Sequence, residues 1–263
     1  MEDRFLFFDT ETTDVQSKDI IQLAIITDGG IVLNKYFKPV QRITFAAMAV
    51  HHITPEFLED KDMFEDSKVE KEEMDGEFQK ENSNLKEYLQ FLAQKYIWVA
   101  HNAEFDLEVL AKKGIFVPRY ICTYKLARNL LTDEDGKSDL ESYALQFLRY
   151  YLGLYKLEDN EHTMAHDALS DVYFLRNLFE YIQKNSSFTT EQMIQITKEP
   201  AVMRSMHFGK YAGRTLEDIA KLDREYLQWV GDSMIDKPDL VWNVKRVLDM
   251  HEINGGLFGR NWV

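Results

Sequence analysis

The sequence predicts an α/β protein, a mixed sheet with helices on its faces, and three observations carry that expectation. An apolar run, "FLFF" at residues 5–8, drives into Asp9 and Glu11 and reads as a buried strand. Two β-rich runs, "IIQLAII" and "IVLNKYF", flank Asp28-Gly29-Gly30, a hairpin signal. From residue 85 onward, segments of helical apolar spacing alternate with short β-like runs, as in a sheet covered by helices.

The elements follow in order. After the hairpin a short helix is predicted around Glu56–Leu58. Between Glu56 and Glu87 there are 13 acids against 5 bases, a net of −8 within a whole-chain charge of −14. The stretch at about 59–84 has few large apolar residues and reads as a solvated, partly mobile insertion, a surface loop with no partner. Leu85, Tyr88, Leu89, Leu92 and Tyr96 predict a helix over 85–96. "IWVA" (97–100) is a short strand, and "EFDLEVLAKK" is a helix stopped by Gly114. "RYICT" predicts a further strand, leading into a helix near 123–131. Ser138 and Glu141 have the spacing of a capping box, which predicts a helix through about Tyr151. Asp167 to Gln183 is a long helix with Leu169, Val172, Leu175, Leu178 and Ile182 down one face. After "QKNSS" the pattern changes: Thr190, Thr215 and Asp223 are cap candidates, the last opening a helix with Tyr226, Leu227 and Trp229. The expected division is residues 1–185 and a small, mainly helical module over 186–263.

Composition narrows the function. A net charge of −14 argues against a long, sequence-independent grip on nucleic acid, which draws its strength from lysine and arginine. Between Val109 and Thr132, however, there are Lys112, Lys113, Arg119, Lys125 and Arg128 and no acid. Phe116, Tyr120 and Tyr124 interleave with them, a pattern that fits either a single-strand groove or a solvated helix face. One cysteine, Cys122, cannot form an internal disulfide and suits a reducing compartment. No apolar run reaches the ~18 residues of a membrane span, and "MEDRFLFF" lacks a basic signal region. A cytoplasmic protein with no membrane partner is expected.

The chemistry is carried by acids. Asp9 and Glu11, spaced by two, point to one side of a strand, where they repel each other and lose hydration. Asp106 falls in the first turn of a helix after a strand, and His166 precedes Asp171 by five residues at the start of another. Strand ends and helix N-termini are where sites assemble in such sheets. Hard divalent cations prefer carboxylate oxygens, and two of them ~3.5–4 Å apart clamp a phosphodiester for in-line attack. Magnesium or manganese would therefore offset the repulsion. Five residues is ~500° of helix, so His166 and Asp171 cannot share a helix face. His166 is expected on the preceding turn, suited to accept a proton from water.

"FFDTETTD", "HNAEFD" and "HDALSD" together resemble the three motifs of the DEDDh 3′–5′ exonuclease superfamily. That group includes proofreading subunits of bacterial replicative polymerases and exodeoxyribonuclease-X-like proteins. A related group with tyrosine four residues before the last aspartate is excluded, because position 167 is aspartate. "VHHITPEFL" is similar to the family's His-Gly-Ile-Thr segment, with His52 where glycine is usual. The resemblance covers roughly residues 4–182 and implies a ribonuclease-H-like mixed five-stranded sheet flanked by helices. It implies two Mg2+ (or Mn2+) held by Asp9, Glu11, Asp106 and Asp171, with Asp9 bridging and His166 activating the attacking water. It also implies that Thr10, His51 and Phe105 hold the terminal nucleotide. The substrate would be DNA with a free 3′ end, single-stranded or frayed duplex, releasing nucleoside 5′-monophosphates in repair or end processing.

The same chemistry on RNA, as in the ribonuclease T and oligoribonuclease branch, is the alternative. A non-catalytic or polymerase-associated binding protein is the other, and a polymerase or repair partner fits either form. The segment "MHFGKYAGRTLEDIAKLDREYLQWV" (206–230) resembles a module that follows the nuclease in exodeoxyribonuclease-X-like proteins, which favours DNA. In it Gly209 and Gly213 suit tight turns and Lys210 and Arg214 suit phosphate contacts. Tyr211 would stack on a base or join Phe208, Leu216, Ile219, Tyr226 and Trp229 in a small core.

Overall fold

The computed structural model describes residues 3–78, 80, 83–157 and 167–258. Strands β1 (Phe5–Thr12), β2 (Ile20–Thr27), β3 (Val32–Tyr36), β4 (Ile97–Ala100) and β5 (Tyr120–Cys122) form one sheet in the order β3-β2-β1-β4-β5. The first three are an antiparallel meander, and β4 and β5 extend it in parallel from β1. Asp28-Gly29-Gly30 makes the expected turn between β2 and β3, with Gly30 at φ 83°. This is the mixed five-stranded sheet of a ribonuclease-H-like fold.

Central strand β1 deals its side chains alternately to two helical layers. Phe5 and Phe7 pack edge-on against Phe179 of α6 (Ala168–Asn185), with ring centroids 4.9 and 5.5 Å apart. Leu6 and Phe8 join the opposite core with Trp98 and with Leu85, Leu89 and Leu92 of α2 (Leu85–Lys95). Between β4 and β5 lies α3 (Ala103–Lys112), entered through Asn102 in the left-handed region at φ 60°. Its stop is Gly114, at φ 75°.

Contacts divide the chain into two compact units, Met1–Tyr124 with Ala144–Gln195, and Lys125–Tyr143 with Ile196–Val263. The first holds the sheet, α1 (Phe45–His51), α2, α3, α5 (Leu145–Tyr151) and α6. Helices α4 (Thr123–Leu130) and α7 (Thr190–Lys198) each run from one unit into the other. The second unit holds α8 (Leu216–Leu222), α9 (Arg224–Ser233) and α10 (Pro238–Phe258), packed around Met206, Ile219, Leu227, Val230, Leu240 and Val244. Thr215 and Asp223 cap α8 and α9 as expected, accepting from the backbone of Asp218 and Tyr226. Among the described residues no helix is long and apolar enough to cross a membrane.

Several expectations are corrected. Residues 55–60 are turns, and the helix of this region is α1, opened by the Thr44 hydroxyl accepting from Ala47. The capping hydroxyl of α7 belongs to Thr189, not Thr190. Ser138 caps nothing: α5 begins only at Leu145, and the Ser138 amide donates to Asp133. A tertiary ion pair overrides that local signal. Asp139, with its side chain fully buried, meets Arg128 at 2.8 Å and accepts from the amides of Arg204 and Ser205. That cluster is also why 125–143 packs with 196–263, where a division at residue 185 had been expected.

The acidic insertion is anchored at several points, although most of its described residues are exposed. Phe64 and Val69 are buried in the core with Tyr88, and the buried carboxylate of Asp75 accepts from Lys95 and Tyr96, each at 2.6 Å. Lys113 pairs with Glu65 and Lys35 with Glu73. The cations of the basic stretch have partners within the protein. Lys112 donates to the Ser17 carbonyl, Lys113 to Asp19, Arg119 meets Asp3, Lys125 donates to the Thr197 carbonyl and Arg128 holds Asp139.

Asp139→Ala should destabilise the second unit by ~3–5 kcal/mol, because Arg128 is left as a buried charge without its counter-ion. Urea unfolding followed by the fluorescence of Trp229 and Trp242 measures this, and an unchanged midpoint would refute the anchoring role.

Candidate active site

The alternation of β1 continues from its apolar half into its polar half, so Asp9 and Glu11 face the same layer as Phe5 and Phe7, toward α6. There they meet Asp171, in the first turn of that helix, and one oxygen from each of the three carboxylates lies within 4.8 Å of the others. Thr10, on the opposite face of β1, meets α3. Its amide donates to Asp106 Oδ1 at 3.1 Å and its hydroxyl donates to the same oxygen at 2.6 Å. The fourth acid is thus fixed by the residue between the first two.

Charge crowding dominates this region. Burial, followed by the nearby charges of Asp106, Glu11 and Asp171, pushes the Asp9 carboxyl well above its ordinary range. Burial and Asp171 push Glu11 up to about 8. Burial raises Asp106 to about 7, opposed by the two hydrogen bonds from Thr10. Acids that hold their protons this firmly are a site waiting for positive charge. An all-carboxylate donor set suits a hard divalent cation such as Mg2+ or Mn2+ better than a nitrogen- or sulfur-seeking one.

Beside Glu11 opens a pocket of about 770 Å³ lined by Thr10, Thr44, Ala47, His51 and Phe105. His51 is buried, accepts from the Ile53 amide through Nδ1 at 3.0 Å, and leaves Nε2 with no hydrogen-bond partner among the described residues. Burial lowers its pKa, so the neutral ring carries its proton on Nε2. His52 ends α1 in the left-handed region at φ 60°, the conformation glycine adopts most easily. The histidine adopts this conformation at some cost in backbone strain.

Sequence reasoning missed two positioning groups. Gln146 of α5 donates from Nε2 to Asp171 Oδ1 at 2.6 Å, and Arg149, one turn on, donates to Gln146 at 3.1 Å while its guanidinium lies 3.9 Å from the Phe174 ring centre. Asp167 caps α6 by accepting from Ser170, and also accepts from Gln22 at 3.0 Å and Tyr36 at 3.2 Å. The only signal for Gln146 and Arg149 was a polar i,i+3 pair on an apolar helix. His166 lies outside the described residues. Lys210 and Arg214 belong to the second unit, where Lys210 pairs with Asp223 at 3.0 Å and Arg214 is exposed.

This sheet, with three acids converging between its central strand and a helix start, defines a nuclease. Residues 6–179 match the family described as "Exonuclease", and residues 206–231 match "Exodeoxyribonuclease X-like C-terminal". The chain belongs to this exonuclease family, and it is a 3′–5′ exonuclease dependent on divalent metal. It is 32% identical over 246 residues to Exodeoxyribonuclease 10 of Escherichia coli K12, covering 92% of this chain and 97% of that one. DNA polymerase III subunit epsilon of Buchnera aphidicola (subsp. Schizaphis graminum) is 25% identical over 256 residues, covering 86% and 97%. A solved structure of Exonuclease X in complex with 5′ overhanging duplex DNA superposes with a TM-score of 0.52 at 30% identity, covering 73% of this chain and 99% of that one.

The raised acid pKa values set a pH dependence. Folded, metal-free Glu11 binds its proton more tightly than in the unfolded chain. The stability it contributes is therefore full below about 4.5 and is lost as pH rises toward about 8. In chelator, Glu11→Gln should melt higher than the parent at pH 8.5, by roughly 2–4 °C per kcal/mol of repulsion relieved, and should gain much less at pH 5. Saturating Mg2+ should shrink the difference. Parallel melting curves across the pH range would contradict the crowding.

Proposed function

We propose that the chain is a 3′–5′ exodeoxyribonuclease that releases nucleoside 5′-monophosphates from DNA 3′ ends with two bound Mg2+ (or Mn2+), in repair or end processing. The observation that carries this reading is the convergence of Asp9, Glu11 and Asp171 at the rim of the pocket lined by Thr10, His51 and Phe105. Similarity to an exodeoxyribonuclease and to a nuclease solved with duplex DNA supports DNA as the substrate.

In this mechanism Asp9, Glu11, Asp106 and Asp171 are the carboxylates that would hold the two cations. When bound, such a pair lowers the pKa of an attacking water and neutralises charge on the phosphodiester. The remaining work belongs to the chain. Thr10 fixes Asp106 through its two hydrogen bonds, and Gln146 fixes Asp171. The terminal nucleotide enters the pocket, where the Nε2–H of His51 is a donor and the Phe105 ring a stacking surface. His166, by its place in the third motif, takes the proton of the water. In the second unit Arg214, which is exposed, and Lys210, which pairs with Asp223, are the proposed phosphate contacts.

Matched 5′-labelled DNA and RNA oligonucleotides, incubated with Mg2+, Mn2+ or chelator, test the reading. A ladder shortening from the 3′ end of DNA and absent with chelator is the expected result; stronger shortening of RNA would move the substrate to RNA. Asp9→Ala should abolish turnover, and His166→Ala should lower it severely while metal-dependent DNA binding persists. Gln146→Ala should lower kcat or metal affinity ~10–100-fold, the usual effect of removing a group that orients a ligand, and steady-state kinetics against metal concentration will measure it. Near-normal cleavage by the Asp9 variant would exclude the two-metal assignment.

A further inference from the structure

Helix α5, which carries Gln146, has a second feature one turn further on. Tyr150 follows Gln146 by four residues and so lies on the same helix face, about 5.4 Å along the axis. Its side chain is 60% exposed, and its ring lies 5.6 Å from that of Tyr155, itself 44% exposed. Tyr151, stacked on Phe147, and Leu157 are exposed as well. Cations sit against the rings: Arg149 is 5.1 Å from the Tyr150 centre, and Lys156 is 5.7 Å from that of Tyr155. Arg149 also donates to Gln146 and lies 3.5 Å from the Tyr150 hydroxyl. A continuous set of contacts therefore joins Asp171, Gln146, Arg149, Tyr150 and Tyr155.

Large aromatic rings left in solvent together are a binding surface more often than an accident. Here an exposed lysine, Lys156, lies beside the rings, a composition that takes up unpaired nucleic-acid bases: each ring offers a π-face to any base and the lysine offsets a phosphate, while buried Arg149 ties Tyr150 to Gln146. The link to a carboxylate of the active site decides which strand this would be. We propose that Tyr150 and Tyr155 form a stacking platform for unpaired bases of the substrate strand, upstream of the terminal nucleotide in the Thr10–His51–Phe105 pocket. The proposal rests on the exonuclease reading above. It adds a second subsite, one that favours single-stranded ends over blunt duplex.

The test compares the parent, the double variant Tyr150→Ala/Tyr155→Ala, and the double variant Tyr150→Phe/Tyr155→Phe. Each is assayed on single-stranded oligothymidylate and on the p-nitrophenyl ester of thymidine 5′-monophosphate, whose single nucleotide is too short to span both subsites. In the alanine pair, KM for the oligonucleotide should rise at least about tenfold more than KM for the ester. The phenylalanine pair should recover most of that loss, since the ring and not the hydroxyl stacks. Equal losses on both substrates, or a phenylalanine pair as defective as the alanine pair, would overturn the platform and leave those rings as a face for another protein. If the parent turns over neither substrate, the exonuclease reading falls first and the platform with it.

Discussion

Mutual repulsion among Asp9, Glu11 and Asp171 is the constraint on which the rest of this fold depends. Three carboxylates with oxygens within 4.8 Å of one another would relax apart on a pliable scaffold. Here they cannot. Asp9 and Glu11 belong to the middle strand of the sheet, hydrogen-bonded to β2 on one side and flanked by β4 on the other. Asp171 is held at the start of an eighteen-residue helix whose cap is tied to β2 and β3 through Gln22 and Tyr36. Rigid packing keeps them together, a tension that a bound cation would relieve. This is the sense in which an active site is a locally unfavourable region supported by a favourable surround.

The two-residue period of β1 organises that support. One face of the strand delivers the two acids, and the other delivers Thr10 to Asp106. A single extended segment thereby places groups on both sides of the sheet and brings α3 and α6 to one end of it. A slip of one residue in the pairing of β1 with β2 would send the acids into the layer of Trp98 and Leu89, so a buried apolar face and a catalytic face enforce the same register.

Much of this was legible because the signals were local. Strand alternation, the Asp28-Gly29-Gly30 turn, the apolar spacing of α2 and α6, and the caps Thr215 and Asp223 all depend on neighbours a few residues away. What escaped depends on distant ones. Gln146 acquires its meaning from Asp171, 25 residues on, and Asp167 from Gln22, 145 residues back. The capping-box spacing at Ser138 was a sound local signal that lost to Asp139, drawn inward by Arg128 and the Arg204–Ser205 backbone. The 59–84 segment looked solvated because its acids outnumber its large apolar residues. Two buried apolar side chains and several lysine and tyrosine partners are enough to seat it, and composition alone does not record partners. The basic stretch has the same dependence on distant groups: Lys113, Arg119 and Arg128 meet acids, and Lys112 and Lys125 meet backbone carbonyls.

The seating of that segment by Asp75, Lys95 and Tyr96 bears on how a polyanion meets the enzyme. A mobile acidic loop would spread its charge over many positions and could be brushed aside. A docked one holds its acids in place, with Glu65, Glu73, Asp75 and Glu77 offset by Lys113, Lys35, Lys95 and Arg4. Acids of the segment that stay exposed, such as Glu70 and Glu72, would repel nucleic acid approaching that side. Added salt would lower that barrier while weakening the attractive contacts elsewhere, and the two effects pull the association rate in opposite directions.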